Sequence, residues 1–585
     1  MPVNLPAIIS AIPWIILGTI LTSLFLLILG WILSIRAAGK SDRGRDLKLL
    51  LIFPLTNPLA LLIFAFMDFR PSILPIICYL LGLLTIPVGG ALAEKHERSL
   101  LESLKQKLEN SGEFLTIESI TPEPVPDDSN VWKHPFLEEL GVAGQNTPEG
   151  RLAREHTKYE SLSLPKPYPN SHYPKVDRED RRAYRAFHGP LLDLHQTAMA
   201  IISATDGEIN ESNTPNSWSG VGEAVINYFQ DSEADFAHLE EAINRPIDEY
   251  PYHWPAAFAM LIPQLPALKK FSDATAMRSV GLSAAGKSNE SFRSASLAFK
   301  LVQIGDSDML ISRLVQFAQA ARALQTVRAA QQFHVWTDEQ WVEIQAELSQ
   351  LDFPRLMPDA MRMERLLGYI SLDPLLTETF ARIVRGLGAF DASSEIIQNS
   401  EIAAQEIGGE RLANIFFGAF SRAFLTKQVR LCLIAYSDQI NSLERALEQT
   451  ATSPWSQHSK PSLPKPYNEY GILAAMLLPA LDRGFQKAIN AQTAVELAEI
   501  ACALERYYLA NQQYPDHLDA LIPNFLERPP RDPMSQELWH YTREGAQGFQ
   551  IYSVGENGRD DGGDYQYDIL WIIDAQMPTL PELEH

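Results

Sequence analysis

Ile472 to Pro515 reads ILAAMLLPALDRGFQKAINAQTAVELAEIACALERYYLANQQYP. Val495, Leu497, Ala498, Ala501, Leu504 and Tyr508 fall on one face at helical spacing, so the stretch predicts one long helix with a buried stripe. Tyr514-Pro515 ends it, because proline lacks the amide donor that the helical ladder needs. A second short helix is expected near Leu518–Phe525. Trp539–Thr542, Gly548–Val554 and Tyr567–Ile573 then read as short strands separated by turn residues. A helix followed by antiparallel strands is an α+β order.

Upstream, residues 186–450 carry almost no strand signal. Pro190–Ala204, Phe292–Val302, Met309–Val327 and Arg411–Leu447 place apolar residues at i, i+3, i+4 and i+7, which predicts a helical array or irregular bundle. Thr337 with Gln340 fits a capping box ahead of Trp341, and Ser307 or Asp306 could cap the helix through Met309. Before this region, nine prolines fall between Thr121 and Lys175, and they fix an extended, partly polyproline II chain. It serves as a linker or as a strap laid on the next domain, and the aromatic Trp132 and Phe136 favour the strap. The hexapeptide Ser-Leu-Pro-Lys-Pro-Tyr occurs at Ser163–Tyr168 and again at Ser462–Tyr467, and reads as domain punctuation.

The amino-terminal residues are the most apolar. No charged side chain occurs in residues 1–35, and Ile12–Ile35, Leu49–Met67 and Ile73–Leu92 are three long apolar runs. At ~1.5 Å rise per residue each is about long enough to cross ~30 Å of hydrocarbon, so a multi-pass domain of about three transmembrane helices in a bacterial inner membrane is expected. Arg36, Lys40, Arg43, Arg45 and Lys48 place the first loop in the cytoplasm by the positive-inside rule. The expected division is a membrane domain over 1–95, a helical exit and Pro-rich strap over 96–185, a helical domain over 186–468, an α+β domain over 469–577 and a tail over 578–585.

The net charge of −23 lies outside the apolar region. Residues 101–585 hold 41 basic and 67 acidic residues. Such a surface repels phosphate backbones and argues against nucleic acid as a partner. The expected partners are the lipid bilayer and proteins of the cell envelope. Of three cysteines, Cys78 lies in an apolar run, while Cys432 and Cys502 lie in helical patterns and read as buried thiols.

The C-terminal stretch resembles the type IV pilin-like proteins, most closely the headpiece of the major pseudopilin of type II secretion. The residues that carry this are Leu-Leu-Pro-Ala-Leu481, Ala503-Leu-Glu-Arg-Tyr-Tyr508, Gln513-Tyr-Pro515, Leu518-Asp-Ala-Leu521 and Arg531-Asp-Pro533. Ile551-Tyr-Ser-Val-Gly555, Asn557-Gly558, Asp560-Asp-Gly-Gly563 and Asp568-Ile569 complete the set. It covers about 472–571. The layout from Thr121 onward also looks like large bacterial membrane-anchored proteins that end in this module. The module is internal here, and the apolar run that opens it is only about a dozen residues long.

The resemblance implies a calcium-binding loop after the last long strand. Calcium takes six to eight oxygen ligands. Asn557, Asp560, Asp561, Asp564 and Asp568 are the candidates, with Gly555, Gly558, Gly562 and Gly563 permitting tight turns. Asn557 stands where the pseudopilins carry an aspartate. The loop is not an EF-hand, since the Asp-x-Asp-x-Asp-Gly pattern is missing.

Other candidates are weaker. His188 and His195, with Asp193, lie two helical turns apart. Asp235, His238 and Glu241 share a helix face, and Tyr250-Pro-Tyr-His-Trp-Pro255 is an aromatic turn. Gly-x-Ser-x-Gly, Walker A, His-Glu-x-x-His and dinucleotide patterns do not occur. The expected function is therefore that of a membrane-anchored envelope protein making structural or interaction contacts, with a link to secretion or pilus assembly. The alternative is a tethered enzyme with its active site in the helical domain.

Overall fold

The computed structural model describes residues 73–143, 178–206, 214–305, 308–377, 418–449, 454–458 and 470–578, with positions 147, 149, 159, 161–165 and 580. These residues are mostly helical, with one three-stranded antiparallel sheet near the C-terminus. The chain divides into two compact units. One comprises residues 1–119, 366–437 and 464–478, and the other 120–365, 438–463 and 479–585.

In the first unit, the helix Ile73–Asn110 carries Leu101 and Leu108 into a core with Leu115, Tyr369, Leu372, Leu376, Leu425, Val429 and Leu433. Gly90 sits so close to the helix Ala419–Gln449 that a Cβ there would lie 3.1 Å from the Cβ of Ala419. Ala93 packs on Ala423. Glu94 pairs with Arg422 at 2.9 Å, and Glu97, only 3% exposed, pairs with Arg430 at 2.9 Å.

This arrangement corrects the expected membrane domain. Among the described residues no helix is long and apolar enough to cross a membrane. The described fold is mostly helical without such a span, which overturns the expected transmembrane helices and multi-pass inner-membrane placement. The apolar run Ile73–Leu92 continues as one helix to Asn110. Gly90, Ala93, Glu94 and Glu97 on this helix meet protein. Apolar length alone does not distinguish a lipid partner from a helix partner, and the misreading came from that. The runs Ile12–Ile35 and Leu49–Met67 lie outside the described residues.

The second unit is built around the helix Gln264–Ala284, which packs against Trp218–Tyr228, Ser288–Val302 and Leu310–Gln332. Close approach is possible because the contact faces are small. Gly222 meets Gly281 so tightly that a Cβ on Gly222 would lie within 2.4 Å of the Gly281 carbonyl oxygen. Ser279, Ser283 and Ser291 share hydrogen bonds at the next turn, and Trp336 Nε1 donates to Ser291 Oγ at 3.1 Å. Burying hydroxyls is tolerable here because each finds a partner. The Pro-rich segment lies on this core. Val131 N donates to Ile247 O at 2.8 Å, Trp132 Nε1 to Asp248 Oδ1 at 2.5 Å, and Tyr159 OH to Phe136 O at 2.6 Å.

From Pro479 on, the C-terminal residues belong to the same unit. The helix Ile472–Asn511 runs through Pro479 and ends before Tyr514, which is fully buried. Strands β1 (His540–Glu544), β2 (Gly548–Ser553) and β3 (Ile569–Ile573) pair in that order, with Tyr541 opposite Ile551 and Ile551 opposite Trp571. Leu518–Leu521 forms a single 3-10 turn where a longer helix was expected. Gln331, fully buried at the end of the helix Leu310–Gln332, accepts from Trp571 Nε1 at 2.9 Å and donates to Ala501 O at 2.9 Å. Trp218 Nε1 donates to Pro578 O at 2.7 Å. The sheet and the long helix are thus joined to the helical array by buried polar contacts.

Candidate functional site

The predicted loop connects β2 to β3. Gly555, at φ +63°, opens it, and a Cβ there would lie 2.0 Å from Tyr567 O, so only glycine fits. The five predicted ligands mostly bind the loop itself. Asn557 Nδ2 donates to Asp561 Oδ2 at 2.6 Å, and its Oδ1 accepts from Arg559 N at 2.9 Å. Asp560 Oδ1 accepts from Gly562 N and Tyr552 OH, both at 2.9 Å; these bonds hold its carboxyl below the usual carboxylate range, while burial first and then Asp560 raise Tyr552. Asp564 Oδ1 accepts from Gln566 N at 2.9 Å.

Asp568 differs from the rest. It is 5% exposed, and its Oδ2 accepts from Gly563 N at 2.8 Å and Asp564 N at 3.1 Å. Its Oδ1 is buried without a partner. Burial, with the nearby carboxylates of Asp561 and Asp560, raises it against the pull of those amides. Among the described residues no three acidic, histidine or cysteine groups converge to hold a metal.

A second carboxylate organises the module from inside. Asp532, fully buried, accepts from Met534 N at 2.9 Å, Ser553 Oγ at 2.7 Å, Val554 N at 3.1 Å and Ser535 Oγ at 3.3 Å. It ties the Arg-Asp-Pro segment to the end of β2 and so to the start of the loop.

A third group was not read from the sequence. His334 Nδ1 lies 2.7 Å from Oε1 of Glu505, which is fully buried, and Tyr514 OH donates to the other oxygen of Glu505 at 2.6 Å. The imidazole stacks on Tyr508 at 4.3 Å between centroids and 15° between planes. Tyr508 OH accepts from Gln547 Nε2 at 3.1 Å. Burial first and then Glu505 raise the Tyr514 hydroxyl far above its ordinary value, so it stays a donor. The available signal was the register. Glu505 occupies the stripe of Ala498, Ala501 and Tyr508, where a charged residue needs a partner.

The remaining candidates disperse. His195 is buried with Nδ1 unpartnered, and burial lowers it to about 4, while Asp193 turns to Arg322 at 3.2 Å. The side chain of His188 lies outside the described residues. Glu241 faces His134 at 3.7 Å, and His238 lies against Phe136. Tyr250, Tyr252 and Trp254 form a row with 4.7 Å between successive ring centroids and tilted planes, and Tyr250 OH donates to Leu140 O. Cys432 and Cys502 are free and buried, and burial raises both thiols, Cys432 to about 12.

No known protein family, curated protein or solved structure matches the chain.

Proposed function

We propose that the chain is a structural or interaction protein whose C-terminal module, similar to a pseudopilin headpiece, makes the contacts, and that the β2–β3 loop of this module takes a calcium ion. What supports the reading is that the residues carrying the resemblance are interdependent. Tyr514 closes the end of the long helix on Glu505, Asp532 holds the end of β2, and Gly555 opens the loop that Asp568 closes. The buried, unpartnered Oδ1 of Asp568 is the single observation that points to a cation. Asn557, Asp560, Asp561 and Asp564 would supply the further oxygens, and calcium would compete with the Asn557 amide for Asp561. The ion would supply charge to a loop that otherwise stacks like charges, and so would order a contact surface.

The test uses the full chain. At roughly 10 mM calcium, above the ~1 mM affinities of weak protein calcium sites, its unfolding midpoint rises and magnesium does not reproduce the rise. Asp568→Asn abolishes the effect. An unchanged midpoint in wild type removes the calcium reading. The contact reading is tested separately, with a photo-crosslinker in place of Tyr567, which is exposed beside the loop. An adduct with a protein bearing a pilin-like module supports it, and adducts confined to this chain contradict it.

A further inference from the structure

We infer that His334 is a reactive imidazole whose Nε2 takes an acyl group from small activated carboxylic esters. Four features of its setting argue for this. First, Nδ1 lies 2.7 Å from Glu505 Oε1, so in the neutral ring a proton on Nδ1 donates to that oxygen and leaves the lone pair on Nε2. Second, the carboxylate is itself fixed, because it is fully buried and its second oxygen holds the Tyr514 hydroxyl at 2.6 Å. Third, the ring is clamped flat on Tyr508. Fourth, the side chain is 26% exposed although its partner Glu505 is fully buried.

The backbone agrees. His334 follows the end of the helix Leu310–Gln332 with φ +49°, while Val335 N closes back on Ala330 O at 3.0 Å. Glycine is the usual residue at this helix-ending position, and a side chain there is strained. The chain carries histidine instead, at the point where its ring reaches Glu505.

A base oriented by a carboxylate is the recurring pair of acyl-transfer sites. A single imidazole does not hold a metal, and no group of three or more His, Cys, Asp or Glu that could hold a metal is found among the described residues, around His334 included. A net charge of −23 disfavours phosphorylated anions as substrates. Neutral acyl electrophiles remain. Nε2 would attack the ester carbonyl carbon and expel the alkoxide, which takes up a proton from solvent. The proton on Nδ1 would move toward Glu505 as the ring gains positive charge. Water would then attack the acyl-imidazole, releasing the carboxylic acid and restoring the Nδ1–H, Nε2 tautomer.

The probe is p-nitrophenyl acetate with the full chain. Wild type is expected to release p-nitrophenol faster than buffer and, on acid quench, to carry acetyl on His334 ahead of every other histidine. His334→Gln should fall by roughly 100-fold or more, the span of a positioned acid–base group. Glu505→Gln, which keeps a partner for Tyr514, should retain the fold but acetylate His334 more slowly. Acetyl distributed over the histidines in proportion to exposure overturns the proposal, and so does equal turnover by wild type and His334→Gln. The site mapping needs only the wild-type chain, so a variant that fails to fold leaves the test intact.

Discussion

Asp532 shows how much one side chain carries. It is buried and bonded to four donors that span the Arg-Asp-Pro segment and the end of β2. Asp532→Ala leaves buried donors without an acceptor and should destabilise by about 3 kcal/mol or more, read by urea unfolding. Its importance was visible as a motif, although the motif did not show what the carboxylate binds. Glu505 was harder to read: its place in the buried stripe calls for partners, but one of them, His334, lies 171 residues away, where no local pattern points to it.

Buried glutamates add a pH dependence. Burial first, then the carboxylates of Glu499, Asp532 and Asp352, raise Glu496 to about 8, and burial raises Glu364 to about 7. Both exceed the ~4.3 of an unfolded glutamate. Between those values the folded chain keeps protons that the unfolded chain releases. Their contribution is therefore full below about pH 4 and is lost as the pH rises to about 8. Glu496→Gln should be more stable than wild type by about 1–3 kcal/mol at high pH, with the gap closing toward pH 4, since one unit is worth ~1.4 kcal/mol. A pH-independent difference in urea unfolding would contradict the assignment.

At the scale of elements, caps and turns were legible where the signal is local. Thr337 caps the helix Asp338–Leu348, with its side chain accepting from Gln340 N and Gln340 answering Thr337 N. Thr337→Ala should cost about 1 kcal/mol, which thermal unfolding can resolve. The helix Leu310–Gln332 follows a different rule. Its first amide is met by Glu364 Oε1 at 3.3 Å, from another helix, while Ser307 and Asp306 lie outside the described residues. A tertiary cap leaves no mark in the nearby sequence. The three strands fall close to their expected places because Gly-rich turns bound them. The run Ile73–Leu92 was misread for the opposite reason, since its apolar character says nothing of what covers it.

For the molecule as a whole, the central point is that the C-terminal module and the helices of the second unit form one folded body. Gln331 bridges Trp571 and Ala501, His334 engages Glu505, and Arg506 reaches Asp338 at 2.9 Å. Sequence patterns delimit a helical region and an α+β region, but they do not show buried polar side chains that cross between them. Native-state hydrogen exchange of the full chain tests this most directly. The amides of the helix Leu310–Gln332 and of strand β3 should open with the same free energy. Both should weaken together by about 2–4 kcal/mol in Gln331→Ala, which leaves a buried donor and a buried acceptor unpaired. If β3 exchanges through its own, lower opening while the helix keeps its full protection, the module is a separate body and the account is wrong.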